Sequence, residues 1–302
     1  MRFLGTGAAE TMPNPFCDCP VCTGVRRDGA RYFKRRSAFQ VSDTLMIDFG
    51  PDVIDAAHQY GVSFCSLRSI LFTHSHDDHL SFPNLSLIGM SQHIFPEPIQ
   101  LYLSPEAFGW VCENIGSSNP DFDFSLCQDG TALLRFGNGN GFRFRPLPCG
   151  TWVTIDEYQV KALRSSHPAW GKGERAWNYL IRLPDGRKLF YACDTGRVLP
   201  ETLEELAGEQ VDLLIMECTF GSRRLEKTSG HLDVYSFLDT MEQFRDRQVI
   251  RPDTQVYSTH LNHKHTFTPL MLQRYFAKHL PAALQKLRGR RGAYGHVRLP
   301  RK

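Results

Sequence analysis

The sequence predicts a mixed α/β (α+β) fold from the pattern of its apolar residues. Short apolar or β-branched runs end in Gly, Asp or His, and helical patterns lie between several of these runs along the whole length. Intermixed strands and helices exclude an all-helical fold. Because no Ser/Pro-rich linker and no internal repeat interrupts the chain, we predict a single domain over residues 1–302.

The predicted elements follow this pattern in chain order. Strands are predicted over residues 1–4, 38–48, 69–73, 157–163, 178–183, 188–192, 211–216 and 254–258. Helices are predicted near residues 52–60, 83–94, 105–115, 199–207, 232–246 and 267–286. Pro83 and Pro96 bracket the second helix, because proline is tolerated in a first helical turn but not in a helix interior. Glycine and asparagine at 137–141 predict a loop.

Composition narrows the function classes only weakly. The chain is 41% hydrophobic and 22% charged, with a formal net charge of +3, so charge alone favours neither nucleic acid nor a membrane surface. No apolar run reaches the ~18 residues of a membrane-spanning helix, and the first residues lack the apolar segment of a signal peptide. We therefore expect a cytoplasmic protein without a membrane partner. Six of the nine cysteines are scattered singly, which predicts small buried side chains rather than a disulfide framework.

The most informative motif is the run from His74 to His79, which reads H-x-H-x-D-H and follows a predicted strand. Side chains alternate along a strand, so His74 and His76 point the same way and can share one metal ion. Asp78 and His79 follow where the chain leaves the strand, and a turn there can direct both toward a second ion. Two ions about 3.5–4 Å apart would require further ligands from elsewhere in the chain.

Three more candidate ligands follow other predicted strands: His167, Asp194 and His260. Taken singly, a histidine is more often a surface or satisfied core residue, and an aspartate before Thr-Gly is more often a turn residue. The recurrence of a His or Asp after four separate strands is how strands of one sheet build a common site at its edge. The sequence therefore predicts a metal centre assembled from several strand ends.

With these residues the chain resembles the metallo-β-lactamase superfamily, whose fold is a four-layer αββα sandwich, over nearly its whole length. The resemblance implies two ions at one centre. The implied ligands of the first ion are His74, His76 and His167. The implied ligands of the second are Asp78, His79 and His260, with Asp194 bridging both ions. Asp48 matches a family aspartate that lies under the site and orients a ligand.

The implied chemistry is metal-assisted hydrolysis. A nitrogen and oxygen ligand set is compatible with Zn²⁺, Mn²⁺ or Fe. Two such ions would lower the pKa of a bridging water toward about 7, giving hydroxide at neutral pH, and would polarise the bond to be cleaved. Asp78 is also expected to hold the nucleophile in place.

A second motif, C-x-C-x-x-C at Cys17, Cys19 and Cys22, predicts most of a structural zinc site in a loop at residues 15–24. Free thiols in a surface turn are the alternative. His263, three residues after His260, would supply a fourth ligand. This Cys₃His set resembles the superfamily branch of the cyclic-phosphate phosphodiesterase associated with the carbon–phosphorus lyase pathway. The quinone-cofactor biosynthesis B protein has a similar cysteine cluster.

The same branch implies a general acid that protonates the leaving alkoxide. His231 is the histidine between Asp194 and His260, and it is our candidate for this role. The alternative is a histidine at a helix start with no catalytic role.

Two basic runs and one aromatic loop could serve a phosphate substrate. The basic runs are residues 26–36 and 286–302; a solvated face and a frayed tail are the alternatives. The loop after His167 contains Trp170, Lys172, Arg175 and Trp177. Its aromatic side chains could stack on a base or sugar, or simply cover the core.

Together these features predict a dinuclear metal hydrolase that cleaves phosphodiester bonds of small or cyclic nucleotide-like substrates. The alternatives are a nuclease of the tRNA 3′-processing type, a hydrolase of lactones, thioesters or β-lactams, and a non-hydrolytic role like that of the quinone-cofactor protein. A nucleic-acid substrate is not favoured, because no inserted RNA-gripping arm is evident. The resemblance is compatible with a homodimer, since family members are often dimers.

Overall fold

The structure is a computed structural model that describes residues 1–116, 122–226 and 229–285, with side chains through residue 280. Its contacts divide the chain into two compact units, each assembled from several segments. Unit 1 comprises Met1–Gly5, Arg36–Cys149 and Pro168–Trp177. Unit 2 comprises Thr6–Arg35, Gly150–His167 and Asn178–Lys302. The prediction of a single domain over 1–302 stays a prediction.

Unit 1 is built on an eight-stranded sheet in the order β1-β2-β3-β4-β5-β8-β7-β6. Its strands are β1 Arg2–Gly5, β2 Ala38–Gln40, β3 Leu45–Ile47, β4 Ser69–Leu71, β5 Ile99–Leu103, β6 Asp123–Leu126, β7 Ala132–Arg135 and β8 Gly141–Pro146. Strands β3, β4 and β5 run parallel to one another. β3 and β4 are buried throughout, as expected of parallel strands covered on both faces.

Three α-helices accompany this sheet among the described residues: α2 Val53–Tyr60, α3 Phe82–Leu85 and α4 Pro105–Val111. Ser104 caps α4 by accepting the backbone N–H of Ala107, and Pro105 occupies its first turn. The apolar core of unit 1 packs side chains of the sheet, such as Ile70, Leu101 and Phe144, against these helices.

Unit 2 contains a six-stranded sheet in the order β14-β13-β12-β11-β10-β9. Its strands are β9 Trp152–Ile155, β10 Tyr158–Pro168, β11 Arg175–Arg182, β12 Lys188–Ala192, β13 Val211–Glu217 and β14 Ile250–Thr259, of which β11 begins within unit 1. Strands β12, β13 and β14 are parallel neighbours. Their carboxyl ends therefore lie along one edge of the sheet, which is where ligand sites of parallel sheets form.

The described α-helices of unit 2 are α1 Pro20–Asp28, α5 Pro200–Leu206, α6 Val234–Asp246 and α7 Pro269–Gln285. Asp233 begins α6 with a capping box, because its carboxylate accepts backbone N–H groups of the first turn while the Ser236 hydroxyl accepts the Asp233 N–H. Phe237 and Phe244 of this helix and Phe276 of α7 belong to the apolar core of unit 2.

The predicted mixed α/β organisation is confirmed, and three of the predicted elements differ locally from the structure. The predicted strand 38–48 is a hairpin of β2 and β3, since residues 41–44 form its turn. The predicted helix 83–94 is limited to α3 and a 3₁₀ segment that ends at Met90. The helix predicted at 105–115 is α4 followed by a π-helical turn, Cys112–Gly116. The loop predicted at 137–141 corresponds to the β7–β8 turn at residues 136–140, and Gly141 begins β8.

None of the helices in the described part of the chain combines the length and apolarity that crossing a bilayer requires.

Candidate metal-binding clusters

The first cluster lies in unit 1 at the carboxyl ends of β3 and β4. Asp48 directly follows β3, and Thr73 and His74 follow β4. Because these strands are parallel neighbours, their ends meet, and the Thr73 backbone N–H donates to Asp48 Oδ1 at 2.8 Å. The Thr73 hydroxyl donates to the same carboxylate at 3.0 Å. Both side chains are buried.

The H-x-H-x-D-H run forms this cluster, which we call the hexapeptide cluster: His74, His76, Asp78 and His79. His74 Nε2 lies 2.9 Å from His76 Nδ1, and His79 Nε2 lies 3.2 Å from Asp78 Oδ2. One ligand atom each from His74, Asp78 and His79 lies within 4.8 Å of the others. Ligand atoms about 2.0–2.2 Å from one ion lie about 3–3.6 Å apart, so these separations fit metal coordination.

The carboxylate beneath the hexapeptide cluster orients its imidazoles. Asp48 Oδ2 lies 2.7 Å from His79 Nδ1, and Thr73 Oγ1 lies 3.0 Å from His74 Nδ1. Nδ1–H groups that donate to these oxygens would leave Nε2 of both rings as the candidate metal-binding atom. Burial raises the pKa of Asp48, whereas the charge and hydrogen bond of His79 oppose this rise.

The second cluster lies in unit 2 at the carboxyl ends of β12, β13 and β14. We call it the strand-end cluster: Asp194, Glu217, His231 and His260. Asp194 follows β12, Glu217 is the last residue of β13, and His260 directly follows β14. One ligand atom of each of the four residues lies within 4.8 Å of the others. Asp194 Oδ1 lies 2.8 Å from His260 Nδ1 and 3.4 Å from His231 Nδ1.

Glu217 organises the strand-end cluster. Its Oε1 accepts the backbone N–H groups of Thr195 and Gly196 at 2.9 Å each, and Oε2 accepts that of Leu232 at 3.1 Å. The Thr219 hydroxyl donates to Oε2, and Thr219 Oγ1 lies 2.9 Å from His260 Nδ1. Burial opposes ionisation of Glu217, but the neighbouring imidazoles, His231 foremost, lower its pKa to about 2.

His231 and His167 lie beside one another in unit 2, with ring centroids 4.6 Å apart. His231 Nδ1 is 3.3 Å from Glu217 Oε2. Burial disfavours the charged form of His231, yet the charge of Glu217 and its hydrogen bond raise the pKa. His167 Nδ1 lies 3.1 Å from the Gly230 carbonyl oxygen, which leaves its Nε2 as the ligand atom. Burial lowers the pKa of His167, which favours the neutral, ligating form.

Asp48 beneath the hexapeptide cluster and two residues of the strand-end cluster have left-handed backbone conformations. The φ angles of Asp48, Asp194 and His260 are 62°, 47° and 56°. Non-glycine residues seldom adopt this region, and the conformation persists only where surrounding contacts impose it. Each residue turns the chain where a parallel strand ends, so the backbone itself directs these side chains toward the sheet edge.

A third cluster, the zinc loop, lies in unit 2 and consists of Cys17, Cys19, Cys22 and His263. All four ligand atoms lie within 4.8 Å of one another, and Cys19 Sγ is 3.7 Å from His263 Nδ1. Tetrahedral zinc with sulfur and nitrogen ligands separates its ligand atoms by about 3.5–3.8 Å, so the donor set and spacing fit. Burial opposes ionisation of Cys19, but hydrogen bonds, including those from the Cys22 backbone and His263, lower its pKa to about 6.

The structure brings the predicted site residues together within each unit. His74, His76, Asp78 and His79 share unit 1, whereas His167, Asp194, His231 and His260 share unit 2. The predicted ligand set draws on both units, and one centre that joins them stays a prediction.

The predicted substrate-contacting residues have different environments. Trp177 is buried, whereas Trp170 is 49% exposed. In the first basic run, Lys34 is buried and Arg36 forms an ion pair with Asp52 at 2.9 Å. The second basic run, 286–302, lies outside the described residues.

Sequence reasoning named Asp48 but missed the other buried hydrogen-bonding partners of the candidate site residues, which are Thr73, Glu217 and Thr219. Glu217 ends an apolar strand in the same way as the predicted ligand Asp194, and that signal could have identified it. Thr73 and Thr219 carry no comparable signal, because threonine is common both inside strands and at their ends.

Comparisons with known proteins then define the family. Residues 31–247, more than half of the chain, match the family model described as Anti-Pycsar protein Apyc1. The chain belongs to this family. The matched range includes the hexapeptide cluster, Asp194, Glu217 and His231, whereas Cys17, His260 and His263 lie outside it. A comparison with curated proteins gave no match.

Solved structures show the same fold at low sequence identity. A diphosphatase from the PhnP family is 15% identical with a TM-score of 0.65, covering 98% of this chain and 94% of its own. Zn²⁺-bound PqqB from Methylobacterium extorquens is 14% identical with a TM-score of 0.64, covering 93% and 95%. The short form of human tRNase Z is 17% identical with a TM-score of 0.50, covering 87% and 92%.

These similarities confirm the predicted metallo-β-lactamase fold. With the family match, they support a metal-dependent hydrolase of the phosphodiesterase type.

Proposed function

We propose that the protein is a dinuclear metal phosphodiesterase that hydrolyses small or cyclic nucleotide-like phosphodiesters. Its metal ligands would be His74, His76, His167, Asp78, His79, Asp194 and His260. The observation that carries this proposal is the donor chemistry of the hexapeptide and strand-end clusters. Each presents buried imidazole and carboxylate groups within coordination distance, at the ends of parallel strands. Zn²⁺, Mn²⁺ and Fe all accept such ligands.

Bound divalent ions would supply an activated water at neutral pH and would neutralise charge on the attacked phosphoryl group. The chain's own contribution is to fix its ligands before substrate arrives. Asp48 and Thr73 hold imidazoles of the hexapeptide cluster through Nδ1, while Glu217 and Thr219 support the strand-end cluster. Such preorganisation avoids the cost of reorienting ligands during each reaction cycle. Asp78, next to these ligands, would hold the nucleophile.

His231 would donate a proton to the leaving alkoxide. Its ring is partly exposed, with 23% of the side chain accessible, so a substrate oxygen can reach it. Glu217 contacts Nδ1 and its charge favours the protonated imidazolium, which is the form a general acid requires. Nε2 is then the atom from which the proton leaves.

The zinc loop would hold one structural Zn²⁺. Cys19 precedes α1 as its N-cap residue, and Cys22 lies in the first turn of that helix. A zinc ion bound by these cysteines and His263 would fix the loop to the segment that follows His260. This zinc ion would have a structural role, whereas the hexapeptide and strand-end clusters would hold the catalytic ions.

The test is a phosphodiesterase panel run on protein whose metal content has been measured. We expect turnover of nucleoside 2′,3′-cyclic phosphates, loss of that turnover after chelation, and recovery after Mn²⁺ or Zn²⁺ is restored. Cleavage of a tRNA precursor without turnover of any cyclic phosphodiester would instead support the nuclease alternative. Metal-loaded protein that hydrolyses no phosphodiester would contradict the proposal.

A further inference from the structure

Trp170 forms an exposed aromatic surface beside the hexapeptide cluster, within unit 1. Its ring centroid lies 5.3 Å from that of His76, with the two planes at 67°. Trp110 of α4 packs on it at 5.6 Å and 41°. Despite these contacts Trp170 is 49% exposed, whereas Trp177 is 2% exposed. A tryptophan that only covered the core would resemble Trp177, so the exposure of Trp170 requires a different explanation.

A buried carboxylate fixes the loop that carries Trp170. Glu174 accepts the backbone N–H and the hydroxyl of Ser75 at 2.9 and 2.5 Å, and the Gly171 N–H at 2.7 Å. Ser75 Oγ in turn accepts the Trp170 backbone N–H at 3.1 Å. Ser75 stands between His74 and His76 in the sequence, so these bonds tie the loop directly to the metal-binding motif.

The loop is also closely packed against the first turn of α4. A Cβ atom on Gly171 would lie 2.7 Å from both the Glu106 carbonyl oxygen and Glu174 Oε2. Glycine is therefore required for this approach. Glu174 N–H donates to the Gly171 carbonyl oxygen at 2.9 Å, which closes the loop on itself. Trp170 is thus held in place before any ligand binds, which lowers the entropy cost of stacking on it.

The chemistry of this surface fits a nucleobase. A half-exposed indole offers a flat apolar face of the kind on which bases stack. Lys172 in the same loop and Arg175 at the start of β11 are both exposed, and they add positive charge that favours a phosphorylated ligand. An exposed aromatic ring locked to a metal-binding motif therefore combines base recognition with phosphate chemistry.

We propose that Trp170 stacks on the base of a nucleotide substrate, and that Ser75 and Glu174 are positioning residues that align it with the hexapeptide cluster. This inference rests on the proposed phosphodiesterase function and names its substrate class. It assigns base recognition to Trp170 rather than to the metal ligands.

Binding measurements test the proposed stacking of Trp170 on a base independently of catalysis. Affinities for adenosine 5′-monophosphate and ribose 5-phosphate are measured by titration calorimetry on metal-loaded protein. We expect Trp170→Ala to weaken binding of the nucleotide by ~5- to 100-fold and to leave that of the sugar phosphate unchanged. Trp170→Phe should restore most of the lost affinity. The matched control is Leu126→Ala on β6, also in unit 1 and 69% exposed. Equal losses for both ligands, or no loss for the nucleotide, would overturn the proposal.

Kinetics separates the positioning residues from the metal ligands. Adenosine 2′,3′-cyclic phosphate and glycerol 1,2-cyclic phosphate have the same five-membered cyclic phosphodiester and differ in the base. Ser75→Ala and Glu174→Gln should raise KM for the nucleotide, with metal content and turnover of the glycerol compound retained. Loss of bound metal, or equal losses on both substrates, would overturn the positioning role. Failure of the native enzyme on both cyclic phosphodiesters would contradict the proposed function, whereas the calorimetric comparison would still report on Trp170.

Discussion

The hexapeptide cluster and the strand-end cluster present similar chemistry through different constructions. In the first, four ligands come from one short run after β4, and Asp48 lies beneath them. In the second, the four residues come from the ends of three strands and from the segment before α6, and Asp194 and His260 are the proposed ligands among them. Both use a buried carboxylate and a threonine hydroxyl to hold an imidazole through Nδ1: Asp48 and Thr73 for His74 and His79, and Glu217 and Thr219 for His260.

The two clusters differ in how much of the chain must fold before their side chains come together. The hexapeptide cluster needs the β3–β4 pair and one turn, because its ligands are local in sequence. The strand-end cluster needs the correct register of β12, β13 and β14, where Ala192 pairs with Met216 and Glu217 with Thr259. The buried carboxylates of the two sites also differ in their hydrogen bonds. Glu217 accepts three backbone N–H groups, whereas Asp48 accepts one.

The largest expected effect comes from removing one ligand from either cluster. His79→Ala and Asp194→Ala should each lower phosphodiester turnover by more than about 10³-fold, because both ions would be required to activate water and neutralise charge. The measurement is turnover together with metal content by mass spectrometry. Cys65→Ala, at an exposed cysteine outside all three clusters, is the control. Retention of near-native turnover by either ligand variant would show that its cluster does not serve the reaction.

His231 should matter according to the leaving group. His231→Ala is expected to slow hydrolysis of esters with alkyl leaving groups by ~10²- to 10⁴-fold, because an alkoxide requires a proton as it departs. Esters of p-nitrophenol, whose anion leaves readily, should be affected far less. The measurement is kcat for a matched pair of alkyl and aryl phosphodiesters at saturating metal. Equal losses on the two would remove the general-acid role.

The two buried carboxylates provide a sharper comparison. Asp48→Asn and Glu217→Gln should each weaken metal binding by ~10- to 100-fold, measured by competition with a chelator. Glu217→Gln should also destabilise the metal-free protein more, by about 1–3 kcal/mol in urea unfolding, since its backbone donors lose a charged acceptor. Asparagine tolerates the left-handed conformation at position 48, so that variant keeps its backbone. A larger stability loss for Asp48→Asn would contradict this account.

The smallest effect is expected from the threonine hydroxyls. Thr73→Val and Thr219→Val keep side-chain volume and remove one hydrogen-bonding group each, so metal affinity should fall by about 2- to 10-fold. Thr73→Val should have the larger effect, because the Thr73 hydroxyl lies near two imidazoles of its cluster, at 3.0 and 3.3 Å. The same chelator competition measures both variants. A larger loss for Thr219→Val would contradict the expectation that a hydroxyl near two imidazoles supports metal binding more strongly.

The same contrast explains how much of the site the sequence could predict. The hexapeptide motif is visible because its ligands lie within six consecutive residues. Asp194 and His260 were identified because each follows an apolar strand, and Glu217 escaped although it ends such a strand. Thr73 and Thr219 could not have been found, since their role depends on side-chain geometry that leaves no periodic pattern.

The prediction of strands and helices from the sequence was limited in a similar way. Buried parallel strands such as β4 and β13 give continuous apolar runs and were predicted. Strands β5 to β8, which complete the sheet of unit 1, and β9 of unit 2 were missed, and β6 in particular is only four residues long and mostly exposed. Helix α1 was missed because the cysteine motif was assigned to a loop at residues 15–24, whereas Pro20 occupies the first turn of that helix.

Metal stoichiometry tied to activity tests the central claim most directly. Protein from which every metal has been removed, except any zinc retained at Cys17, Cys19, Cys22 and His263, is titrated with Mn²⁺. Bound metal and hydrolysis of a cyclic phosphodiester are recorded at each step. The account predicts that activity rises until two equivalents are bound and then stops rising. Full activity after a single equivalent, or none after two, would contradict the assignment of the hexapeptide and strand-end clusters to one two-ion reaction.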